Sequence, residues 1–195
     1  YEWAKKYKEK NFLIDESFIE YSEENSIIDT LEKNPISNVI VLKSLSKSHG
    51  IPGIRLGFVY THNKEIFKDI FDNLPIWNLN SFAEYYMEIA LKFKKDLINS
   101  FEIAKKDRKY LIKQLNSIDY INKVYNSSGS FVTFKIENKK IAKVLRSNLL
   151  SKYNIYIKQL TNIGLKDTNY FRVALVSKPA IDNLIIALDS FSNAS

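Results

Sequence analysis

The sequence predicts an α/β fold, and three observations lead to this prediction. Short runs of β-branched and aliphatic residues alternate along the chain with longer segments of helical periodicity. The run at residues 39–45 has the continuous apolar character of a parallel strand that is covered on both faces. From residue 120 onward, strands and helices follow one another in an order that is typical of a smaller α+β layer.

The elements of the first half follow one another at short intervals. A short apolar strand ends on Asp15, and the next helix ends before Asn34-Pro35, since a proline disfavours helical backbone in the residue that precedes it. In chain order we expect a helical tail at residues 1–10, a strand at 12–14, a helix at 26–33, the central strand at 39–45 and a helix at 63–71.

The second half begins with a long helical segment at residues 81–115, for which we expect Ser81 as the cap and a bend near residues 96–100. Its expected inward side chains are Phe82, Tyr85, Tyr86, Ile89, Phe93, Leu97, Phe101, Ala104, Leu111 and Leu115. We expect later strands at 120–125, 131–136, 155–159 and 170–175, and helices at 139–152 and 179–191, with Pro179 in the first turn of the last helix.

The composition is that of a globular protein. Hydrophobic residues make up 45% of the chain, with 12 Tyr and 12 Phe but only 5 Gly and 4 Pro. No apolar run reaches the roughly 18 residues of a membrane span, and the first ten residues lack the apolar core of a signal peptide, so we expect a cytoplasmic protein. The absence of cysteine excludes disulfides, and the two histidines, His49 and His62, make a metal site unexpected.

The charge balance is that of a lysine-rich chain with solvated helix faces. The formal charge of +7 comes from 29 basic and 22 acidic residues, and the excess is mostly lysine spread along the whole chain. A nucleic-acid binder usually concentrates its basic residues on one surface. We therefore expect neither nucleic acid nor a membrane as a partner; the alternative to solvated helix faces is attraction of phosphorylated small molecules.

The most informative stretch surrounds Lys47. Two serines, Ser44 and Ser46, precede Lys47, and Arg55 follows it within a bend that contains three glycines. Small hydroxyls, a lysine and an arginine around such a bend are the groups needed to hold a phosphate and to present an amine to a carbonyl. The stretch is not a Walker-type loop, because its glycines follow the lysine.

The complete pattern Ser-x-Ser-Lys-x-x-Gly-x-x-Gly-x-Arg-x-Gly, from Ser44 to Gly57, resembles the lysine loop of class I and II aminotransferases of fold type I. The resemblance implies that Lys47 forms a Schiff base with pyridoxal 5'-phosphate, and that Ser44, Ser46 and Arg55 bind the cofactor phosphate. The alternative for Lys47 is an ordinary solvated surface lysine.

A second resemblance covers residues 12–21, FLIDESFIEY, which are similar to the Asp-Glu-Ala-Tyr segment of the same family. It implies that Asp15 pairs with the protonated pyridine nitrogen of the cofactor; the alternative is a cap at the end of a strand. The family tyrosine is replaced by Phe18, as in the threonine-phosphate decarboxylase branch, so transamination is not the only reaction to consider.

The second half carries a candidate substrate site. The segment Tyr-Phe-Arg-Val-Ala resembles the family strand whose arginine binds the substrate carboxylate, which makes Arg172 the candidate here. The alternative is a solvated arginine at a sheet edge. Weaker resemblances concern a pocket wall at Trp77, Asn78 and Asn80, and a substrate contact at residues 128–130.

The resemblance also implies a domain organisation. Residues 1–100 correspond to the C-terminal part of the large cofactor-binding domain, and residues 101–195 to the small α+β C-terminal domain. Relatives of this family are about twice as long, so we expect activity only in a full-length chain with the missing N-terminal half, which would also supply much of a homodimer surface.

These observations lead to three hypotheses. The first is an aminotransferase of a small amino acid or amino-phosphate, with Lys47 as the Schiff-base nucleophile and then as the general base. The second is a decarboxylase of a phosphorylated amino acid on the same scaffold. The third is a non-catalytic partner domain that has kept the fold.

Overall fold

The computed structural model describes residues 1–161 and 169–192 and has the α/β architecture that the sequence predicts. The chain divides into two compact units, Tyr1–Asn99 and Ser100–Ser195. Each unit has its own sheet and its own apolar core.

The elements are as follows. The helices are α1 (Glu2–Lys6), α2 (Ile28–Lys33), α3 (Leu45–Ser48), α4 (Lys64–Asp72), α5 (Ser81–Ala90), α6 (Lys94–Leu115), α7 (Lys139–Tyr153) and α8 (Lys178–Ser192). The strands are β1 (Phe12–Asp15), β2 (Val39–Ser44), β3 (Gly57–Thr61), β4 (Lys123–Tyr125), β5 (Phe131–Lys135), β6 (Lys158–Gln159) and β7 (Tyr170–Ala174). Short 3-10 turns lie at Ile19–Tyr21, Pro52–Ile54 and Leu91–Phe93.

The first unit contains a three-stranded sheet in the order β1-β2-β3, in which β1 and β2 are parallel and β3 is antiparallel to β2. Val39 and Val41 are fully buried against Ala4 of α1 and Leu31 of α2. The opposite face is open in this chain, because Leu13 is 69% and Leu42 40% exposed. The prediction that β2 is covered on both faces is therefore wrong for the described residues, since Leu42, on the face opposite Val39 and Val41, is exposed.

Gly57 allows β3 to lie close to the end of β2. A Cβ atom at this position would lie 2.7 Å from the carbonyl oxygen of Lys43, which is closer than atoms can pack. Glycine is needed at position 57 because the backbone of β3 lies too close to that of β2 for a side chain to fit between them.

The long helical segment differs from the prediction in detail. A 3-10 turn at Leu91–Phe93 separates α5 from α6, so the interruption lies before the predicted bend at residues 96–100. The cap of α5 is Asn80, whose side chain accepts from the N–H of Ala83, rather than Ser81. Phe82 and Tyr85 were expected to point inward but are 80% and 63% exposed, because none of the residues that the structure describes covers their face.

The second unit contains an antiparallel sheet in the order β4-β5-β7-β6. Phe134 and Phe171 are fully buried and stack with ring centres 5.6 Å apart. They join a core with residues of α6, α7 and α8, including Leu111, Leu145 and Leu188. The first and third predicted strands are shorter than expected, at Lys123–Tyr125 and Lys158–Gln159.

Within the described residues, no helix is long and apolar enough to cross a membrane.

Candidate active site

The parallel pairing of β1 and β2 brings three of the predicted site residues to one edge of the first sheet. Asp15 is the last residue of β1 and lies across from Leu42 of β2. β2 ends at Ser44, and α3 begins at the next residue and carries Lys47. Carboxyl ends of parallel strands are where open α/β sheets place ligand-binding groups, and Asp15, Ser44 and Lys47 lie at this edge.

The Asp15 carboxylate is held by Ser17, a residue that the sequence did not single out. The N–H of Ser17 donates to Oδ1 of Asp15 over 2.9 Å. Hydrogen bonds from the Ser17 side chain and backbone lower the pKa of Asp15, against a smaller opposing effect of burial. Ser17 Oγ also accepts from the N–H of Ser44 over 3.0 Å, so one serine joins the end of β1 to the end of β2. Asp15 is therefore ionised at neutral pH and fixed beside the lysine turn.

Lys47 is exposed, and its ammonium group has no ion-pair or hydrogen-bond partner within the described part of the chain. Its backbone is held in place, because Oη of Tyr21 donates to the carbonyls of Lys47 and Ser48 at 3.3 and 3.5 Å. An amine without a partner on an anchored turn is available to react with a carbonyl carbon.

His49 closes the lysine turn and contacts α5. Its Nδ1 lies 2.8 Å from Oη of Tyr86, and burial is the main cause that lowers the pKa of His49. Lys43, at the end of β2, and Glu20 form an ion pair of 2.6 Å with both side chains about 15% exposed. These contacts hold the residues before and after Lys47.

Arg55 adopts a left-handed backbone conformation, with φ 54° and ψ 43°, which is uncommon for a residue other than glycine. Residues in such conformations often lie at functional sites. Its side chain is exposed, and Nη1 donates to the carbonyl of Pro52 over 3.1 Å. The neighbouring Leu56 carbonyl accepts from the N–H of Leu45 over 2.9 Å, which holds the Arg55 segment against the lysine turn.

Ser46 differs from Ser44 in its surroundings. Its hydroxyl is buried and lies 3.4 Å from the carbonyl of Leu56. A phosphate contact from Ser46 stays a prediction, and it requires this hydroxyl to turn away from Leu56.

The predicted pocket wall has a structural role at one position. The amide of Asn80 caps α5 and also donates to the carbonyl of Ile54 over 2.9 Å, which ties α5 to the turn before Arg55. Trp77 is 91% exposed. Phe18, which replaces the family tyrosine, is half-buried, and its ring centre lies 6.4 Å from that of Tyr21.

In the second unit, Arg172 lies in the middle of β7, half-buried, between Thr133 of β5 and Lys158 of β6. Its guanidinium carbon lies 5.0 Å from the ring centre of Phe131. No carboxylate pairs with Arg172 among the residues that the structure describes. The sequence did not identify Lys158 as a site residue, because its pairing with Arg172 depends on strand register. Residues 128–130 were predicted to contact the substrate. One carbonyl of this segment, that of Gly129, accepts a hydrogen bond from Arg108 over 3.2 Å.

The donor set at the first sheet edge fits pyridoxal 5'-phosphate. Lys47 offers an amine without a partner, Asp15 an ionised carboxylate, and Arg55 and Ser44 groups that bind phosphate. A metal does not fit as well: in residues 1–161 and 169–192, no group of three or more His, Asp or Glu side chains could hold one.

Comparison with known proteins identifies related enzymes. The chain is 33% identical over 183 residues to the adenosylcobalamin biosynthesis bifunctional protein CobDQ of Leptospira interrogans, covering 93% of this chain and 20% of that protein. It is 30% identical to L-serine phosphate decarboxylase of Sulfurospirillum multivorans, covering 91% of this chain and 46% of the relative.

Among solved structures, the chain resembles the histidinol-phosphate aminotransferase of Clostridium acetobutylicum with a TM-score of 0.86 and 32% identity, covering 96% of this chain and 56% of that one. The chain thus spans between a fifth and just over half of the length of these proteins. The model of the family "Aminotransferase class I and II" matches residues 2–188. The chain therefore belongs to the class I and II aminotransferases, a family of enzymes that depend on pyridoxal 5'-phosphate.

Proposed function

We propose that the intact protein is a pyridoxal-phosphate-dependent aminotransferase of a small amino acid or amino-phosphate. The observation that carries this proposal is the arrangement at the edge of the first sheet. An ammonium group without a partner, on Lys47, lies on the turn that directly follows β2, and an ionised carboxylate, on Asp15, ends the parallel strand β1.

The residues have separate roles in this proposal. When bound, the cofactor supplies a ring that accepts electrons from the substrate. Lys47 provides the amine that binds the cofactor aldehyde covalently, and the same amine then moves a proton at the substrate Cα. Asp15 holds a proton on the ring nitrogen, while Ser44, Ser46 and Arg55 bind the cofactor phosphate. Arg172 binds the substrate carboxylate.

Lys158 supports a substrate with more than one negative charge. It lies directly across from Arg172 in the antiparallel pairing of β6 and β7. Two cations on adjacent strands match a phosphorylated substrate better than a single carboxylate. Two of the similar proteins are named for phosphorylated compounds, histidinol phosphate and serine phosphate, which agrees with this class.

A second candidate is a decarboxylase of a phosphorylated amino acid. Phe18 stands where the family tyrosine is expected, and one relative at 30% identity is a serine phosphate decarboxylase. Phenylalanine removes a hydrogen-bond donor near the cofactor, which changes how protons are distributed around it.

The two candidates are separated by one assay of the intact protein with phosphoserine, phosphothreonine or histidinol phosphate. Amino transfer requires an oxo-acid acceptor such as 2-oxoglutarate, whereas decarboxylation releases carbon dioxide without one. Carbon dioxide formed in the absence of an acceptor would contradict the aminotransferase proposal.

Borohydride reduction followed by peptide mass analysis tests the covalent role of Lys47, with Lys43→Arg as a control. No label at Lys47 would leave only the non-catalytic hypothesis.

We further propose that residues 1–100 are part of the cofactor-binding domain and residues 101–195 the small C-terminal domain. The intact protein would be a cytoplasmic homodimer that binds small molecules rather than nucleic acid or membranes. The apolar surface of Ile76, Trp77 and Phe82, which are 98%, 91% and 80% exposed, supports a large interface in the complete assembly. Sedimentation of the intact protein at micromolar concentration tests the dimer.

A further inference from the structure

Ser17 links Asp15 to the end of β2. It is 7% exposed, and its Oγ accepts the N–H of Ser44 over 3.0 Å. Its backbone N–H donates to Oδ1 of Asp15 over 2.9 Å. The side chain of Ser17 and then its backbone N–H are the main causes that lower the pKa of Asp15.

Ser17 thus holds Asp15 with its backbone while its side chain is held by β2. Its backbone N–H donates to Oδ1 of Asp15 over 2.9 Å. Its hydroxyl is anchored to β2 through the N–H of Ser44, immediately before the helix that carries Lys47. The orientation of the Asp15 carboxylate is consequently set relative to the lysine turn and not only relative to β1.

Other charged groups near Asp15 have different partners. Glu16 accepts from Oγ of Ser26 and from the N–H of Ile27 at 2.5 and 2.7 Å, so it belongs to the start of α2. Lys43, on β2, pairs with Glu20. Lys47 on α3 and Arg55 beyond it make no ion pair with Asp15 within the described residues. Ser17 is therefore the residue that orients this carboxylate.

We propose that Ser17 is a positioning residue, which holds the Asp15 carboxylate in the orientation in which it meets the ring nitrogen of the cofactor. The inference rests on the proposed function, because it requires pyridoxal 5'-phosphate at this edge of the sheet. Ser17 stands at the place of the alanine in the segment that the sequence resembles, and alanine has no hydroxyl to accept the N–H of Ser44.

A cofactor analogue makes the role of Ser17 measurable without an activity assay. In 1-deazapyridoxal 5'-phosphate, a carbon replaces the ring nitrogen, so Asp15 has no ring partner while the aldehyde and phosphate are unchanged. The dissociation constant of each cofactor is measured with the intact apoprotein by absorbance. Ser17→Ala is expected to weaken binding of the natural cofactor about tenfold and that of the analogue about twofold or less. Ser17→Thr keeps the hydroxyl and is expected to restore the difference.

Ser22→Ala is the matched control. Ser22 is 8% exposed and also bridges two groups, since its Oγ donates to the carbonyl of Ile19 and accepts the N–H of Glu24, but it has no bond to Asp15. It is expected to affect both cofactors alike. If Ser17→Ala does not fold, Ser17→Cys, whose sulfur is a weaker acceptor for the N–H of Ser44, is expected to show the same selective loss.

The outcomes separate the inference from the proposed function. Equal weakening of both cofactors by Ser17→Ala, or no weakening of either, overturns the positioning role while the wild-type protein still binds the cofactor. A wild-type protein that binds neither cofactor overturns the proposed function, and the inference falls with it.

Discussion

Nδ1 of His49 lies 2.8 Å from Oη of Tyr86, and the two rings meet edge to face with centres 5.6 Å apart. His49 is the residue that ends α3, whereas Tyr86 lies in the middle of α5. The contact therefore joins the turn that carries Lys47 to a helix that lies far along the chain. Four predictions follow from this contact and from three other features of the two units.

Removing the Tyr86 hydroxyl should destabilise the first unit. Tyr86→Phe keeps the ring and deletes the hydrogen bond to His49, so we expect the free energy of unfolding of the intact protein to fall by about 1 kcal/mol. Urea denaturation measures the change. Tyr85→Phe is the control, because Tyr85 is 63% exposed and its hydroxyl has no partner among the described residues. Equal effects of the two substitutions would contradict the role of the contact.

His49 should make stability depend on pH. Burial, and to a lesser extent Lys43, lowers the pKa of His49, while Glu20 opposes them. The folded protein therefore keeps His49 neutral at pH values where the unfolded chain, with a pKa of about 6.5, binds a proton. This contribution is complete above that pH and declines as the pH falls below it.

The measurement is a series of denaturation curves between about pH 5 and 8. His49→Gln should remove part of the decline on the acid side. His62→Gln should leave it in place, since His62 lies at the surface and bonds to Tyr60. An unchanged slope in the His49 variant would exclude this histidine as the source.

Gly57 should tolerate no side chain. A Cβ atom would lie 2.7 Å from the carbonyl of Lys43, so Gly57→Ala must push β3 away from β2 and should cost about 1–3 kcal/mol. Gly53→Ala is the control, because a Cβ atom there meets nothing within 4 Å. It should change stability by less than about 0.5 kcal/mol. Thermal unfolding of both variants tests the comparison.

Lys158 should distinguish phosphorylated from unphosphorylated substrates. Its register pairing with Arg172 places a second cation beside the residue proposed to bind the substrate carboxylate. Lys158→Met should raise KM for a phosphorylated substrate about tenfold and leave that of its unphosphorylated analogue within about twofold, as expected for a hydrogen bond to a charged group.

Lys123→Met serves as the control, because Lys123 is also a strand lysine of the second sheet but pairs with Lys135 instead of Arg172. Steady-state kinetics of the intact protein measure the effect. A loss of the same size for both substrates would show that Lys158 does not recognise the phosphate.

Much of the candidate site was predictable because its residues are close in sequence. The pattern from Ser44 to Gly57 lies on one strand, one short helix, a turn and the start of a paired strand, so its spacing is visible without the fold. The sequence did not identify Ser17 and Tyr86 as residues that support the candidate site. Each acts on a residue more than 25 positions away, Ser17 on Ser44 and Tyr86 on His49, and no local pattern indicates such a contact.

The errors in predicted burial have a related cause. Leu42, Phe82 and Tyr85 lie on apolar faces that periodicity predicts to be covered, and all three are exposed. Periodicity does not say which part of a protein covers them. In this chain α1 and α2 pack against the other face of β2, which leaves Leu42 exposed.

The amino-acid sequence by itself determined most of the order of strands and helices, the position of the candidate lysine and the membership of a cofactor-dependent family, because these depend on backbone preferences and on short, ordered motifs. The tertiary structure alone decided that one serine joins Asp15 to the lysine turn and that Lys158 faces Arg172. Such relationships depend on strand pairing and on hydrogen bonds between distant segments, which exist only once the chain has folded.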